Sequence, residues 1–213
     1  MGQRRKQSFQ PGDHVCGIYS TTNELIAVTT AFLSEGLARR ERCWYVARGR
    51  ERYAIADALR KRHINVEECL RSGALRFAAG TDAYLQHGRF DPERTLDVFN
   101  DAIDQASHDG WTGFRAAAEM SWALGVPDGT ERVIAYEALL KSLFRSARAT
   151  GLCLYPRRRM PLRVLNGALI THPIVGTGSS FQVNRFYEPG AARMPDVSDK
   201  AVWAKLQALG TNR

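Results

Sequence analysis

Short apolar runs that do not alternate with polar residues recur along this chain, and stretches of helical period separate them. The runs lie at 14–19, 42–47, 74–78, 114–118 and 152–155. A strand that reads as continuously apolar is covered on both faces, and strands joined through helices run parallel. The pattern predicts a three-layer α/β fold, a mostly parallel central sheet with helices on both faces.

The helical stretches carry their own boundaries. The first opens with the capping box Thr21-x-x-Glu24 and carries Leu25, Val28 and Phe32 on one face, with Leu33 and Leu37 beside them. A helix over 51–62 and a turn at 66–70 follow. Asp91-Pro92 starts the next helix, because Asp caps it and Pro loses nothing at the first helical position. Leu96, Phe99, Ile103 and Ala106 form its inner face, and Gly110 ends it. A helix over 131–148 turns Val133, Tyr136, Leu140 and Leu143 inward, and Pro161 opens one that runs to 170. Strands at 174–177 and 180–187 and a helix at 197–209 complete the reading. The expected division is a flexible basic N-terminus at 1–11, one domain at 12–189 and a tail at 190–213.

The turn after the first strand narrows the function. A nucleotide-binding α/β protein places a phosphate cradle of type G-x-x-x-x-G-K-[ST] there, with backbone N–H groups and a lysine closing on the phosphates. Here the segment reads Gly17-Ile-Tyr-Ser-Thr-Thr-Asn-Glu24, with one glycine, no Gly-Lys pair and an ordinary helix cap. The scaffold suits a sensor better than a motor.

The net charge of +8 invites a nucleic-acid reading. However, the basic residues scatter over several helix ends, where cations complement the helix dipole, instead of lining one element. Direct nucleic-acid binding is therefore not expected. No apolar run approaches the roughly 20 residues that cross a bilayer. The basic start Met-Gly-Gln-Arg-Arg-Lys has no apolar stretch behind it, as a secretion signal requires. A cytoplasmic protein with no membrane contact is expected. The cysteines at 16, 43, 69 and 153 form no C-x-x-C and read as free thiols.

Ligands of open α/β sheets bind at the carboxyl ends of the strands, so the residues that follow each strand nominate a site. These are Tyr19 and Ser20 after the first, Gly80, Thr81, Asp82 and Tyr84 after the third, and Glu119 to Trp122 after the fourth. Tyr155 and the run Arg157-Arg158-Arg159 follow the fifth. Tyr19, Ser20, Glu119, Trp122, Tyr155, Arg157 and Arg158 are the expected ligand contacts, with Glu119, Trp122 and Tyr155 around one hollow. The plainer alternatives are that Glu119 pairs with an arginine to tie two strand ends, and that the aromatics close the core.

His14 and Cys16 stand two apart on a strand and face the same side. With Cys153 and His172 they form a conceivable tetrahedral metal set. No paired-ligand spacing demands one, and isolated cysteines more often fill apolar space, so no metal and no cofactor are expected. No nucleophile–base pair is visible, so a non-enzymatic protein is expected.

The motifs His14-x-Cys16-x-x-Tyr19, Phe32-Leu33-x-x-Gly36-Leu37, Glu41-Arg42-Cys43-x-Tyr45-Val46 and Gly88-Arg89-Phe90-Asp91-Pro92-Glu93-Arg94 occur in that order. They continue as Glu119-Met120-Ser121-Trp122-Ala123-Leu124, Tyr136-Glu137, Cys153-Leu154-Tyr155-x-Arg157-Arg158-Arg159, Thr171-His172-Pro173 and Asn184-x-x-Tyr187-x-Pro189. In order and spacing over 12–189 they resemble the MEDS family of sensory domains, named for methanogens, methylotrophs and the dichloromethane-responsive regulator. Pro156 and Ala118 depart from that family's usual Asp and Gly. The resemblance implies a RecA/KaiC-like fold without its phosphate loop, a small organic ligand and a role beside transcription or signalling modules. With no output module in these residues, the signal is expected to pass through a regulatory protein partner or through assembly of copies. The rival readings are a degenerate nucleotide binder that uses the arginines and a basic adaptor for nucleic acid or a regulator.

Overall fold

The apolar runs become the strands of one sheet. The chain runs β1 (His14–Tyr19), α1 (Thr22–Ala38), β2 (Arg42–Ala47), α2 (Glu51–Arg60), α3 (Val66–Arg71) and β3 (Leu75–Ala79). The two-residue strands β4 (Leu85–Gln86) and β5 (Arg89–Phe90) then pair with each other before α4 (Pro92–His108). Next come β6 (Phe114–Glu119), a 3-10 turn (Met120–Gly125), α5 (Gly129–Ser146), β7 (Ala149–Pro156) and α6 (Leu162–Thr171). β8 (Ile174–Thr177), β9 (Ser180–Val183) and α7 (Asp199–Gly210) end it. This computed structural model describes residues 8–47, 49–80, 84–86, 89–146, 148–178, 180–191 and 197–210. The basic cluster at 4–6 and the nominated Thr81 and Asp82 lie outside the described residues.

The seven-stranded sheet has the order β3-β2-β6-β7-β1-β8-β9. All neighbours are parallel except β8 and β9, which form an antiparallel hairpin at one edge. Phe32, Leu33, Ile55, Leu59 and Val66 from α1–α3 cover one face of the sheet. Helices α4–α7 cover the other through Phe99, Val133, Leu140, Leu165, Leu169 and Leu206. This is the expected three-layer α/β fold.

Local chemistry sets the ends. Asp91 accepts from the N–H groups of Glu93 and Arg94 at 3.1 and 3.2 Å and starts α4, and Gly110, at φ +79°, ends it. The expected turn at 66–70 is the short helix α3, because Asn65 accepts from Glu68 N–H at 3.0 Å and caps it. The final strand is shorter than expected. Asn184 donates through Nδ2 to the carbonyls of Leu169 and His172, which pulls the chain out of the ladder after Val183.

Close approach of α5 matters most for the interior. A Cβ at Gly151 of β7 would lie 2.2 Å from the Phe144 ring, and one at Gly167 of α6 would lie 2.3 Å from Ile134. Two glycines thus let α5 press against both β7 and α6.

Candidate functional site

β2 leads toward β3 and β6 leads toward β7, in opposite directions along the sheet, and a crevice opens at such a switch point. A cleft of about 400 Å³ lies there, lined by Tyr19, Glu51, Glu119, Ser121, Leu124 and Arg159 among others. The Tyr19 hydroxyl donates to Glu119 Oε1 at 2.7 Å and so joins the ends of β1 and β6. Ser121 donates its N–H to Oε1 at 3.1 Å and its hydroxyl to Oε2 at 2.6 Å, which caps the 3-10 turn. Burial, reinforced by the neighbouring carboxylate, pushes the Tyr19 hydroxyl up and keeps it a donor. The Tyr45 hydroxyl nearby is buried and has no hydrogen-bond partner among the described residues; burial and then Glu119 and Glu51 push it up as well.

Of the nominated contacts, only Tyr19 and Glu119 meet at this cleft. Ser20 is exposed beside it, and its N–H is held by Glu24 Oε2 at 2.6 Å. Arg157 lies over the Trp203 ring at 5.5 Å, Arg158 is exposed, and Arg159 is the arginine that reaches the cleft. Trp122 and Tyr155 do not share the hollow with Glu119. Trp122 is buried against Tyr84, with ring centroids 4.5 Å apart, because the 3-10 turn carries it back under the sheet edge. Glu119 pairs in register with Leu154, so Tyr155, one residue on, points to the opposite face. Glu119 forms no ion pair with an arginine among the described residues. The buried arginine contact lies elsewhere: Arg115 meets Glu41 at 2.5 Å and Glu35 at 3.1 Å beneath α1.

That opposite face carries a second polar cluster. His14, Glu137, Cys153 and His172 are all buried, and one donor atom from each lies within 4.8 Å of the others. His14 Nε2 is 3.0 Å and His172 Nε2 3.3 Å from Glu137 Oε2. Cys153 Sγ is 3.4 Å from the same oxygen and 3.5 Å from His14 Nε2. Tyr155 donates its hydroxyl to the other carboxylate oxygen, Oε1. Burial opposes the Glu137 charge, but His172 and His14 outweigh it and hold the carboxyl well below the usual range. Burial, together with His172, lowers His14 to about 4 and so keeps its ring neutral. Cys16 shares the strand face but is not among the four mutually close donors, and burial pushes its thiol up.

Over residues 13–173 the sequence matches the family described as MEDS: MEthanogen/methylotroph, DcmR Sensory domain. The chain belongs to the MEDS family. This MEDS chain is 26% identical over 161 residues to the transcriptional repressor DcmR of Methylorubrum extorquens (strain DSM 6343 / CIP 106787 / DM4). That alignment takes in 75% of the chain but 58% of the repressor's length. Both findings fit a regulatory role. The fold is similar to flagellar accessory protein FlaH from Methanocaldococcus jannaschii, with TM-score 0.59 and 12% identity over 87% of this chain and 84% of that one. It is also similar to the KaiC-like protein PH0186 from Pyrococcus horikoshii OT3, with TM-score 0.57 and 11% identity over 83% and 81%. The expected RecA/KaiC-like fold is thus the observed one. No helix among the described residues is long and apolar enough to cross a membrane.

Reading by position after a strand reaches Ser121 but not Glu137. Ser121 stands in the run 119–122, and its contact with Glu119 comes from the 3-10 turn. Glu137 left a signal: it stands four residues after Val133 and three before Leu140, a carboxylate on the inward stripe of α5.

Proposed function

We propose that this MEDS domain is a non-enzymatic sensor that takes a small polar organic ligand in the rim cleft and signals to a regulatory protein partner. The observation that carries the reading is the Tyr19–Glu119 hydrogen bond, which ties two strand ends at the open switch point of the sheet. A ligand donor that competes for Glu119 would free the Tyr19 or Ser121 hydroxyl. It would thereby shift the 3-10 turn, whose Leu124 is exposed for a partner to feel. The repressor relative supports a transcriptional setting and a cytoplasmic location.

A nucleotide is disfavoured at this cleft. The start of α1, where a phosphate cradle would present free N–H groups, is already served by Glu24 and Thr21. The lining holds the carboxylates of Glu51 and Glu119 against the guanidinium of Arg159. Electrostatics there suit neutral or cationic donors.

The test is thermal shift of the chain against a panel of small alcohols, amines, amides and nucleotides, beside Glu119→Gln and Tyr19→Phe. At least one non-nucleotide compound is expected to raise the melting temperature of wild type and to lose its effect in both variants. A panel that leaves wild type unmoved, or ATP as the stabilising compound, overturns the reading.

A further inference from the structure

Four donors reach one point of the dry interior from four separate segments: β1, α5, β7 and the end of α6. We infer that His14, Glu137, Cys153 and His172 form a four-coordinate site for a transition metal of the zinc class. The site faces the side of the sheet opposite the rim cleft and stands independently of the ligand proposed there.

Distances support it first. Nitrogen, oxygen and sulfur donors held at about 2.0–2.3 Å from zinc span tetrahedral edges of about 3.3–3.6 Å. Four of the donor separations are 3.0, 3.3, 3.4 and 3.5 Å. The other two separations lie within 4.8 Å, so coordination needs the tightest pair to spread and the widest to close.

Ring orientation supports it second. His172 Nδ1 lies 2.8 Å from the Ala168 carbonyl, which can only accept, so that nitrogen carries the proton. His172 Nε2 is thereby turned toward Glu137 Oε2 at 3.3 Å, an orientation in which a metal ion can bridge the two. A carbonyl on the far ring nitrogen and a tyrosine on the far carboxylate oxygen are the outer contacts that orient metal ligands. His14 as a ligand would carry its proton on Nδ1, which has no partner among the described residues, so its outer support is poorer.

Charge supports it third. A divalent ion bound by the Glu137 carboxylate and the Cys153 thiolate leaves the cluster neutral, the cheapest state for a buried site. The thiol proton departs to solvent on binding. Four protein donors with no open position describe a structural or metal-sensing site, not a catalytic one. The mixed nitrogen, oxygen and sulfur set selects zinc-like ions over magnesium or calcium.

The test uses the full chain produced without a polyhistidine tag. Purified from zinc-supplemented culture, it is expected to retain about one zinc per chain after dialysis, read by mass spectrometry of the metal. Cobalt added to the metal-free chain should give intense visible bands of four-coordinate cobalt and a near-ultraviolet thiolate-to-metal band. Cys153→Ser should remove the thiolate band, and Cys16→Ser should keep it. Tyr155→Phe should weaken cobalt binding by about 10–100-fold while the band persists. Folded wild type with only trace zinc and no cobalt spectrum overturns the assignment, as does a thiolate band that survives Cys153→Ser. If Cys153→Ser does not fold, the Tyr155→Phe affinity decides: a weakened affinity supports the site and an unchanged one overturns it.

Discussion

Glu119 and Glu137 each accept a tyrosine hydroxyl, the first from Tyr19 and the second from Tyr155, on opposite faces of one sheet. Glu119 lies at a strand end beside an open cleft, with Ser121 as its other partner. Glu137 lies mid-helix, fully buried, with two imidazoles and a thiol as its company. The same carboxylate–tyrosine pair is thus exchangeable at the rim and locked in the interior. Water can replace a lost partner at the rim. Inside, a lost partner leaves bare polar groups, and only another protein group or an ion can take its place.

Unfolding experiments can break this contrast. Glu137→Ala should cost the most, about 3–5 kcal/mol in urea denaturation, because it strands Tyr155 and both histidines in a dry site. Tyr155→Phe should follow at about 1–3 kcal/mol, the cost of leaving a buried carboxylate oxygen without its donor. At the rim, Glu119→Ala should cost about 1–2 kcal/mol, since water reaches Ser121 and Tyr19. Tyr19→Phe should cost least, about 0.5–1 kcal/mol, with its main effect on ligand response. Equal losses for the two Tyr→Phe variants would erase the distinction. A larger loss at Tyr19 would invert it and make the rim pair the structural one.

Much of this architecture can be read from residue order alone. Buried parallel strands carry uninterrupted apolar runs, and caps such as Thr21, Asp91 and Gly110 mark helix ends through local chemistry. Tyr19 and Glu119 were reachable because each ends its strand, where the chain must turn at the ligand-binding edge. Trp122 and Tyr155 were nominated on the same ground, and the fold separates them from that edge. Which face Tyr155 takes depends on the pairing of Glu119 with Leu154, a long-range register. Trp122 depends on the tight 3-10 turn that buries it under Tyr84. The interior cluster depends on contacts at long sequence separation, brought together by glycines at 151 and 167. His14, Cys153 and His172 were visible as residue types, but their meeting point was not, and Glu137 showed only as a charge on a greasy stripe.

The start of α1 has an implication for the engineering of such domains. Glu24 holds the Ser20 N–H at 2.6 Å, and Thr21 Oγ1 accepts from Glu24 N–H at 3.2 Å. A carboxylate of the protein thus takes an N–H group at the turn where a phosphate cradle would stand. Inserting a lysine would merely form an internal pair with that glutamate. Building triphosphate affinity at this turn would have to begin by deleting an acid and loosening the turn with glycines, because a self-supplied carboxylate already takes the N–H group that a phosphate would need.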